Sequence, residues 1–293
     1  MGSSKRDVEV SYDVSNEFFR LWLDERMNYT FAVYETINQT GAMGPGGQTL
    51  EAAQLNKLKV LSEFAKVTPE KSALDIGCGW GACMEYLATV RNVKRAVGVT
   101  LSTEQAKEVN DRKIPRAECI GADFMKWETK EKFDALISIC MIDHLCSPQE
   151  ARLGKAIEIY RAYFKKCWQV TTPGAQFGLQ AILRNRTPRI KKDLEDVYFC
   201  THVIFPGGLN PRMEDIIQAV NPYWEVMQVQ TRREHYQRTT NEWLRRMRGH
   251  EKVIREKWGN QVFEDYDRYL STCVRAFDQH YSSLAQFELR RID

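Results

Sequence analysis

Four residues with regular spacing are the strongest chemical signal in the chain: Asp75, Gly77, Gly79 and Gly81. They stand where a predicted strand passes into a predicted helix. Glycines let the backbone come close to a ligand, and the free amides at a helix start face that ligand. The G-x-G-x-G spacing differs from the G-x-G-x-x-G of dinucleotide sites. The pattern therefore predicts a nucleotide-like ligand other than a dinucleotide, the alternative being a tight turn without a ligand.

A second chemical signal is the pair Asp143 and His144, directly after a predicted strand over 133–139. A carboxylate beside a histidine can orient a substrate or take a proton. The alternative is a helix cap next to a surface histidine. The five histidines lack metal-ligand spacing and the eight cysteines include no C-x-x-C pair, so we expect no metal and reduced thiols.

Strands and helices alternate in the part of the chain that carries these residues. Each predicted strand is short and apolar: 73–76, 96–99, 117–120, 133–139 and 175–183. This rhythm predicts an α/β fold with a mostly parallel sheet and helices on both faces, and ligands then bind beyond the carboxyl ends of the strands. The rhythm stops after Leu183, a strand returns at 224–229, and the tail over 239–287 is predicted to be helical.

Four regions follow from this organisation. They are an N-terminal helical cap (1–48), a cofactor-binding core (49–183), a lid or substrate insertion (184–222) and a C-terminal part that completes the sheet and adds helices (223–293). The net charge of +3 is spread out, which argues against nucleic acid as a partner. No stretch approaches the roughly 20 apolar residues of a spanning helix. We expect a cytoplasmic protein without membrane insertion, and a homo-oligomer stays open.

Collinear segments along nearly the whole chain resemble the cyclopropane fatty acid synthase and mycolic acid methyltransferase family. The matching segments are 12–19, 29–35, 49–54, 74–81, 98–102 with Gln105, Asp143-His144, 204–208 and His235-Tyr236. The resemblance implies the class I methyltransferase fold, Rossmann-like with seven strands. It also implies that the nucleotide-like ligand is S-adenosylmethionine.

The resemblance also assigns the cofactor site residue by residue. Gly77, Gly79 and Gly81, after Asp75, would pass under the methionine part. Thr100 and Gln105 stand where the family holds the ribose and neighbouring groups. Asp123 is a candidate partner for the adenine amine, or else a solvated loop acid. Tyr29 and Thr30 would close the site from the N-terminal segment.

The family holds a bicarbonate that acts as the base in ring closure, with a glutamate, a cysteine, a histidine and a tyrosine. In this sequence those positions are Asp143, Phe31, Gln180 and Tyr236. Phenylalanine cannot hydrogen-bond an anion and aspartate reaches less far than glutamate. The departures argue against bicarbonate and against cyclopropane formation.

Aromatic residues are expected to line a pocket for a lipophilic small molecule. The candidates are Phe31, Tyr198, Phe199, Phe205, Tyr236 and Trp243. Aromatic faces stabilise a nearby cation by ~0.5–2 kcal/mol each, although such residues also serve as ordinary core.

Three reactions fit these residues. The first hypothesis is C-methylation of an alkene carbon in an isoprenoid-bearing natural product, through a carbocation, with Asp143, His144, Gln180 and Tyr236 as catalytic candidates. The alternatives are N-methylation of an alkaloid-type amine and cyclopropane synthesis on unsaturated acyl chains.

Overall fold

The computed structural model describes residues 14–35 and 48–293. Within them, seven strands form one sheet in the order β3-β2-β1-β4-β5-β7-β6. Strands β1 to β5 pair in parallel, and β7 runs antiparallel to its neighbours β5 and β6. The strands are β1 (Ser72–Ile76), β2 (Arg95–Thr100), β3 (Ala117–Gly121), β4 (Phe133–Ile139), β5 (Thr171–Arg184), β6 (Trp224–Thr231) and β7 (Ser282–Arg291). The predicted α/β class with a mostly parallel seven-stranded sheet is confirmed.

Helices connect the strands and extend the chain at both ends of the described region. Their bounds are α1 (Asn16–Arg20), α2 (Leu50–Phe64), α3 (Ala82–Thr89), α4 (Thr103–Asp111), α5 (Pro148–Arg152), α6 (Ala156–Gln169), α7 (Lys191–Phe199), α8 (Met213–Val220), α9 (Arg233–Gly249), α10 (Glu251–Trp258) and α11 (Asn260–Asp278). The side chains of Thr49 and Ser102 accept hydrogen bonds from the first turns of α2 and α4 and so cap them.

The parallel strands pair in a register that brings their carboxyl ends to one level. Ile76 pairs with Val99 on one side and with Ser138 on the other, and Thr100 pairs with Gly121. The loops that follow β1, β2, β3 and β4 therefore open at the same edge of the sheet, where ligands bind in folds of this class.

The chain departs from the sequence prediction in two places. The predicted helical tail over 239–287 is wrong at its end, because α11 stops at Asp278 and β7 follows. Residues 283–287 of β7 are buried without interruption between β5 and β6, so the strand lacks the alternation that identifies one. The sequence also predicts a single helix over 150–164, whereas the structure has two helices, α5 and α6, separated near Gly154 with its φ of 73°.

The predicted lid over 184–222 contains α7, a π-helical turn (Cys200–Ile204) and α8. Residues 1–13 and 36–47 of the predicted N-terminal cap, among them Tyr12, lie outside the described residues. None of the helices in the described ranges combines the length and the apolar character needed to cross a membrane.

Candidate functional site

One large cavity opens at the carboxyl edge of the sheet. Its volume is about 1200 Å³, above the roughly 300–1000 Å³ of a typical single-ligand pocket. It is lined by the loops after β1, β2, β3 and β4, by the N-terminal segment, by the lid and by α11. The cavity is therefore large enough for two ligands side by side.

The glycine loop after β1 forms one wall of this cavity. The amides of Gly77 and Cys78 both donate to the carbonyl of Val99, at 2.9 and 3.1 Å, which ties the loop to β2. Gly77 and Gly79 line the cavity with φ values of 80° and 54°. A Cβ at Gly79 would meet nothing within 4 Å, whereas one at Gly81 would meet Val109 and Arg112 on the far side. Gly79 is thus the position where the backbone borders open space.

Asp75 lies at the base of this loop and is 1% exposed. Among the described residues neither of its carboxylate oxygens has a hydrogen-bond partner at standard geometry, although the thiol of Cys83 and the amide of Met84 are near enough to affect its pKa. Burial raises the pKa of Asp75 to about 7, with Cys83 and the ammonium of Lys57 acting in the opposite direction. A buried acid without partners is costly for the protein alone, and a ligand with a cationic donor would satisfy it.

Polar residues after β2 and β3 continue the cavity wall. The hydroxyl of Thr100 donates to Oε1 of Gln105 at 2.9 Å, and both side chains are buried. Asp123 also lines the cavity. Its carboxylate accepts from the amide of Met125 at 3.0 Å and lies 3.3 Å from Nζ of Lys126, so one acid serves both a loop turn and the cavity wall.

A buried lysine of α2, which was not predicted from the sequence, holds the N-terminal segment over the site. Nζ of Lys57 donates to Oδ1 of Asn28 and to the hydroxyl of Thr30, each at 2.9 Å. Burial lowers the pKa of Lys57 to about 8, against the opposing charges of Asp24 and Asp75. Tyr29 and Thr30 both line the cavity.

Asp143 and His144 lie in a short 3-10 turn (Ile142–His144) just beyond β4, and both line the cavity. Oδ2 of Asp143 accepts from the amide of Ile182 at 3.2 Å, while Oδ1 has no hydrogen-bond partner within the described ranges. Burial raises the pKa of Asp143 well above its usual range, opposed by the Ile182 amide and Cys140. Burial lowers the pKa of His144. Burial therefore disfavours the charged form of both side chains when no ligand is bound.

Cys140 joins this group, although the sequence analysis did not select it. It lines the cavity one residue after β4, with a φ of 61°. Nε2 of the fully buried Gln180 donates to its sulfur at 3.3 Å. Gln180 itself is not among the lining residues. In the sequence, only the position of Cys140 could have identified it as a site residue, because it follows a central strand and precedes Asp143 by three residues.

The six predicted aromatic residues fall at different depths. Phe205 and Tyr236 line the cavity, and Tyr236 stacks on Phe277 with 4.3 Å between ring centroids. Phe31 and Trp243 are fully buried behind Tyr236, at centroid distances of 5.7 and 6.3 Å.

Three of the six lie in the lid, and two of these, Tyr198 and Phe199, are not on the cavity wall. Tyr198 is 62% exposed and stacks on His202, while Phe199 lies under the guanidinium of Arg268 at 4.3 Å. Both sit at the end of α7. Their predicted substrate contact therefore remains a prediction that would require the lid to rearrange.

The comparison with known proteins decides the family. The family described as mycolic acid cyclopropane synthetase matches residues 2–287. The chain belongs to this family.

Individual relatives align with the chain over nearly their whole length. The S-adenosylmethionine-dependent methyltransferase UmaA of Mycobacterium tuberculosis is 29% identical over 96% of this chain and 95% of its own. Cyclopropane mycolic acid synthase 2 of Mycobacterium leprae is 28% identical over 96% and 92%. The solved structure of the cyclopropane synthase MmaA2 from Mycobacterium tuberculosis superposes with a TM-score of 0.86 at 26% identity, covering 99% of each chain. The fold, the cofactor class and the enzyme class predicted from the sequence are thereby confirmed: this is an S-adenosylmethionine-dependent methyltransferase.

The residues of this family member fit S-adenosylmethionine. The unpartnered oxygens of Asp75 would accept from the ammonium of its methionine part, and the open side of Gly79 leaves room for the ligand. Thr100 and Gln105 present buried polar groups beside them. No group of three or more His, Cys, Asp or Glu side chains in the described residues could hold a metal ion.

A bicarbonate fits less well. Phe31 is fully buried and offers no donor, and the amide nitrogen of Gln180 is committed to Cys140. Asp143 repels an anion when it is ionised. Of the donors that the resemblance associates with that ion, the acceptor side of the cavity therefore retains Tyr236 but not the cysteine or the histidine.

Proposed function

We propose that this enzyme alkylates a carbon–carbon double bond in the long apolar chain of a lipophilic substrate, a reaction of the cyclopropane synthase type. The observation that carries the proposal is the continuity of the cavity. The wall with the glycine loop and Asp75 runs without a break into a wall of apolar and aromatic side chains from the lid and the C-terminal helices. These are Leu194, Val197, Phe205, Tyr236, Tyr269, Ala276 and Phe277.

The chain's own residues supply positioning, charge stabilisation and a proton acceptor. When bound, S-adenosylmethionine supplies an electrophilic methyl group. The aromatic faces of Phe205 and Tyr236 stabilise positive charge on a nearby substrate carbon by ~0.5–2 kcal/mol each. The enclosed apolar wall keeps water away from that carbon. Asp143, through Oδ1, takes the proton that the alkylated substrate must lose, and the amide of Ile182 holds the other oxygen.

The origin of that proton decides the product. If it leaves the new methyl group, the C–H electron pair closes a cyclopropane ring. If it leaves a neighbouring carbon, a methylated alkene results. The second outcome, on an isoprenoid substrate, is the first hypothesis from the sequence alone. The relatives, which include named cyclopropane mycolic acid synthases, favour ring closure on an unsaturated acyl chain, and we adopt it as the main proposal.

C-methylation without ring closure remains the second candidate because of one specific observation. Phe31 and Gln180 replace two ligands of the family's bicarbonate, and neither offers an anion a free donor. The proton acceptor must then be a protein group, and its position determines which hydrogen it reaches.

A labelled methyl donor separates the candidates. The enzyme is incubated with S-adenosylmethionine carrying a trideuteromethyl group and with unsaturated phospholipid, unsaturated acyl thioester, prenylated indole or a secondary amine. Ring closure retains two deuterium atoms and removes the double bond. A methylated alkene retains three deuterium atoms and keeps a double bond. Transfer only to the amine, or no transfer to any alkene, would overturn the proposal.

A further inference from the structure

The backbone at Cys140 is unusual for a residue with a side chain. Its φ of 61° lies in the left-handed region, which costs a non-glycine residue about 1–2 kcal/mol. Its amide still donates to the carbonyl of Gln180 at 2.9 Å, so the strand pairing continues through it. Met27 is the other non-glycine residue with positive φ on the cavity wall of the described chain, and its side chain cannot donate a hydrogen bond. A thiol kept where glycine would fit without strain points to a role for the thiol.

Three consecutive hydrogen bonds, the last two of them buried, end at this thiol. Nε of Arg232, at the start of α9, donates to Oε1 of Gln286 at 2.9 Å. Nε2 of Gln286 donates to Oε1 of Gln180 at 3.3 Å. Nε2 of Gln180 donates to the sulfur of Cys140 at 3.3 Å. The three bonds cross from β7 through β5 to the end of β4, and both glutamines are fully buried.

The donor-to-acceptor direction of this series of hydrogen bonds is set at its Arg232 end. A guanidinium can only donate, so the side-chain oxygen of Gln286 must face Arg232 and its nitrogen must face Gln180. The same logic turns the nitrogen of Gln180 toward Cys140. The sulfur then acts as an acceptor, which leaves the S–H proton to point elsewhere. Asp143 lies three residues further along the chain, in the turn just beyond β4, and lines the same cavity. Its carboxyl is the neighbouring acceptor, and the interaction with the thiol affects the pKa of both groups.

We propose that Arg232, Gln286, Gln180 and Cys140 form a directional hydrogen-bond relay that positions the carboxyl of Asp143 for proton transfer. The relay rests on the proposed function only for its chemical consequence. In that step a substrate C–H bond breaks, its electron pair forms the new carbon–carbon bond, and the proton moves to Oδ1 of Asp143. The thiol keeps its own proton and supports the carboxylate. These four are positioning residues, and Asp143 is the group that meets the substrate.

Other titratable groups surround the relay's end. Lys57 on α2 acts on the thiol of Cys140, and Tyr160 and Tyr163 on α6 interact with the charge of Asp143. His144 adjoins Asp143 in sequence. We expect changes at Arg232 to reach Asp143 through the hydrogen bonds of the two glutamines.

Substitution of Cys140 separates function from structure. Cys140→Gly removes the thiol and the backbone strain together. We expect its melting temperature to equal or exceed that of the wild type, while kcat falls at least tenfold and KM for both substrates stays within threefold. Cys140→Ser restores a donor and an acceptor and should recover at least a third of kcat. Wild-type kcat in Cys140→Gly would overturn the proposal, and so would a Cys140→Ser enzyme as slow as Cys140→Gly.

Arg232 gives a test far from the cavity. In Arg232→Leu we expect kcat to fall several-fold and the acid limb of its pH profile to move upward, because a carboxylate with weaker donors is harder to ionise. Arg232→Lys keeps a donor-only cation and should restore both. Arg290→Leu, on the exposed pair with Glu225 on the same sheet, is the matched control and should leave kcat and the limb unchanged. An Arg232→Leu profile that matches the control would overturn the relay.

A spectroscopic readout keeps the relay separate from the proposed reaction. The C=O stretch of the protonated Asp143 carboxyl is assigned by infrared difference against Asp143→Asn in the full-length protein without ligands. The band should shift in Cys140→Gly and in Arg232→Leu and stay in place in Arg290→Leu. If the wild type alkylates no alkene, the proposed function fails while this band still decides the relay. An unmoved band in both variants would overturn it.

Discussion

The cofactor side and the acceptor side of the cavity hold their residues in different ways. On the cofactor side, Gly77, Gly79 and Thr100 follow neighbouring parallel strands, and backbone register brings them together. On the acceptor side, Phe205 and Tyr236 come from the lid and α9, far apart in sequence. The first side is built from local backbone geometry and the second from tertiary packing. Sequence patterns are informative about the first for that reason.

The cofactor side and the acceptor side each contain one buried acid, and the two acids differ in their surroundings. Asp75 is the penultimate residue of β1 on the cofactor side, and Asp143 follows β4 on the acceptor side. Burial raises the pKa of both, but Lys57 opposes the shift at Asp75, whose pKa is about 7. Asp75 is therefore ready to pair with a cation, whereas Asp143 holds a proton strongly once it has accepted one.

The largest effect is expected on the acceptor side. Asp143→Asn removes the proton acceptor, and loss of general-base catalysis should lower kcat by about 10²–10⁴-fold. Cofactor affinity should change less than threefold, because Asp75 and the glycine loop are untouched. Steady-state kinetics and calorimetric titration with S-adenosylhomocysteine measure the two quantities.

Asp134→Asn is the matched control for that variant. Asp134 lies near the other end of β4, where it accepts from Ser72 and Thr172. We expect it to lose some stability and to keep kcat. A kcat in Asp143→Asn equal to that of this control would remove Asp143 from the mechanism.

Asp75 is the next test, through stability against pH. Its folded pKa of about 7 lies above the usual 3.8, so the folded ligand-free protein binds more protons than the unfolded chain. This contribution weakens folding as the pH rises from about 4 to about 7, by up to about 4 kcal/mol. Asp75→Asn should flatten that decline in urea unfolding and bind S-adenosylhomocysteine at least tenfold more weakly. Equal slopes for the two proteins would show that Asp75 is satisfied without a ligand.

Gly79→Ala and Gly174→Ala form a matched pair. Both glycines have positive φ (54° and 73°), and an added Cβ meets nothing within 4 Å at either. Both variants should lose about 1–2 kcal/mol of stability. Only Gly79 lines the cavity, so only Gly79→Ala should weaken cofactor binding, by about 10–100-fold. Equal cofactor affinities, measured by titration, would place the ligand away from Gly79.

The fold could be predicted where local periodicity and topology agree. Strand 96–99 was predicted and β2 spans Arg95–Thr100, since apolar runs flanked by helix caps mark buried parallel strands. The strand β7 was missed because it is buried on both faces and follows a long helix. Its pattern cannot be distinguished from that of a buried helix until its neighbours are known.

The site could be predicted only in part. Asp75, Thr100 and Asp143 line the cavity, as their positions near the carboxyl ends of parallel strands predict. The direction of a side chain on α7 depends on how the lid packs, so nothing in the sequence placed Tyr198 in solvent. The positive φ of Cys140 is likewise a tertiary outcome, because that residue type does not favour it.

The smallest expected effect concerns the lid. Asp196 on α7 is 4% exposed in its side chain, and it pairs with Lys192 and with Arg268 and Arg275 of α11. Burial would raise its pKa, but the hydrogen bonds from Lys192 and Arg268 outweigh burial and lower it. The cluster holds the helix that carries the lining residues Leu194 and Val197. Its stabilisation is present above the usual carboxyl pKa and is lost as the pH falls below it.

Asp196→Asn should therefore loosen the lid and leave the cofactor side intact. We expect KM for the lipophilic substrate to rise about threefold to fivefold, which corresponds to about 1 kcal/mol because a tenfold change corresponds to about 1.4 kcal/mol. Cofactor affinity should stay unchanged. Glu195→Gln is the control, since within the described residues Glu195 pairs with the exposed Lys191 on the same helix, and such surface pairs contribute little to stability. Added salt should raise KM of the wild type more than that of Asp196→Asn, because the variant has already lost the screened charge. If both variants shift KM equally, the ion pairs do not position the lid, and its hold on the acceptor side must come from apolar packing against α11.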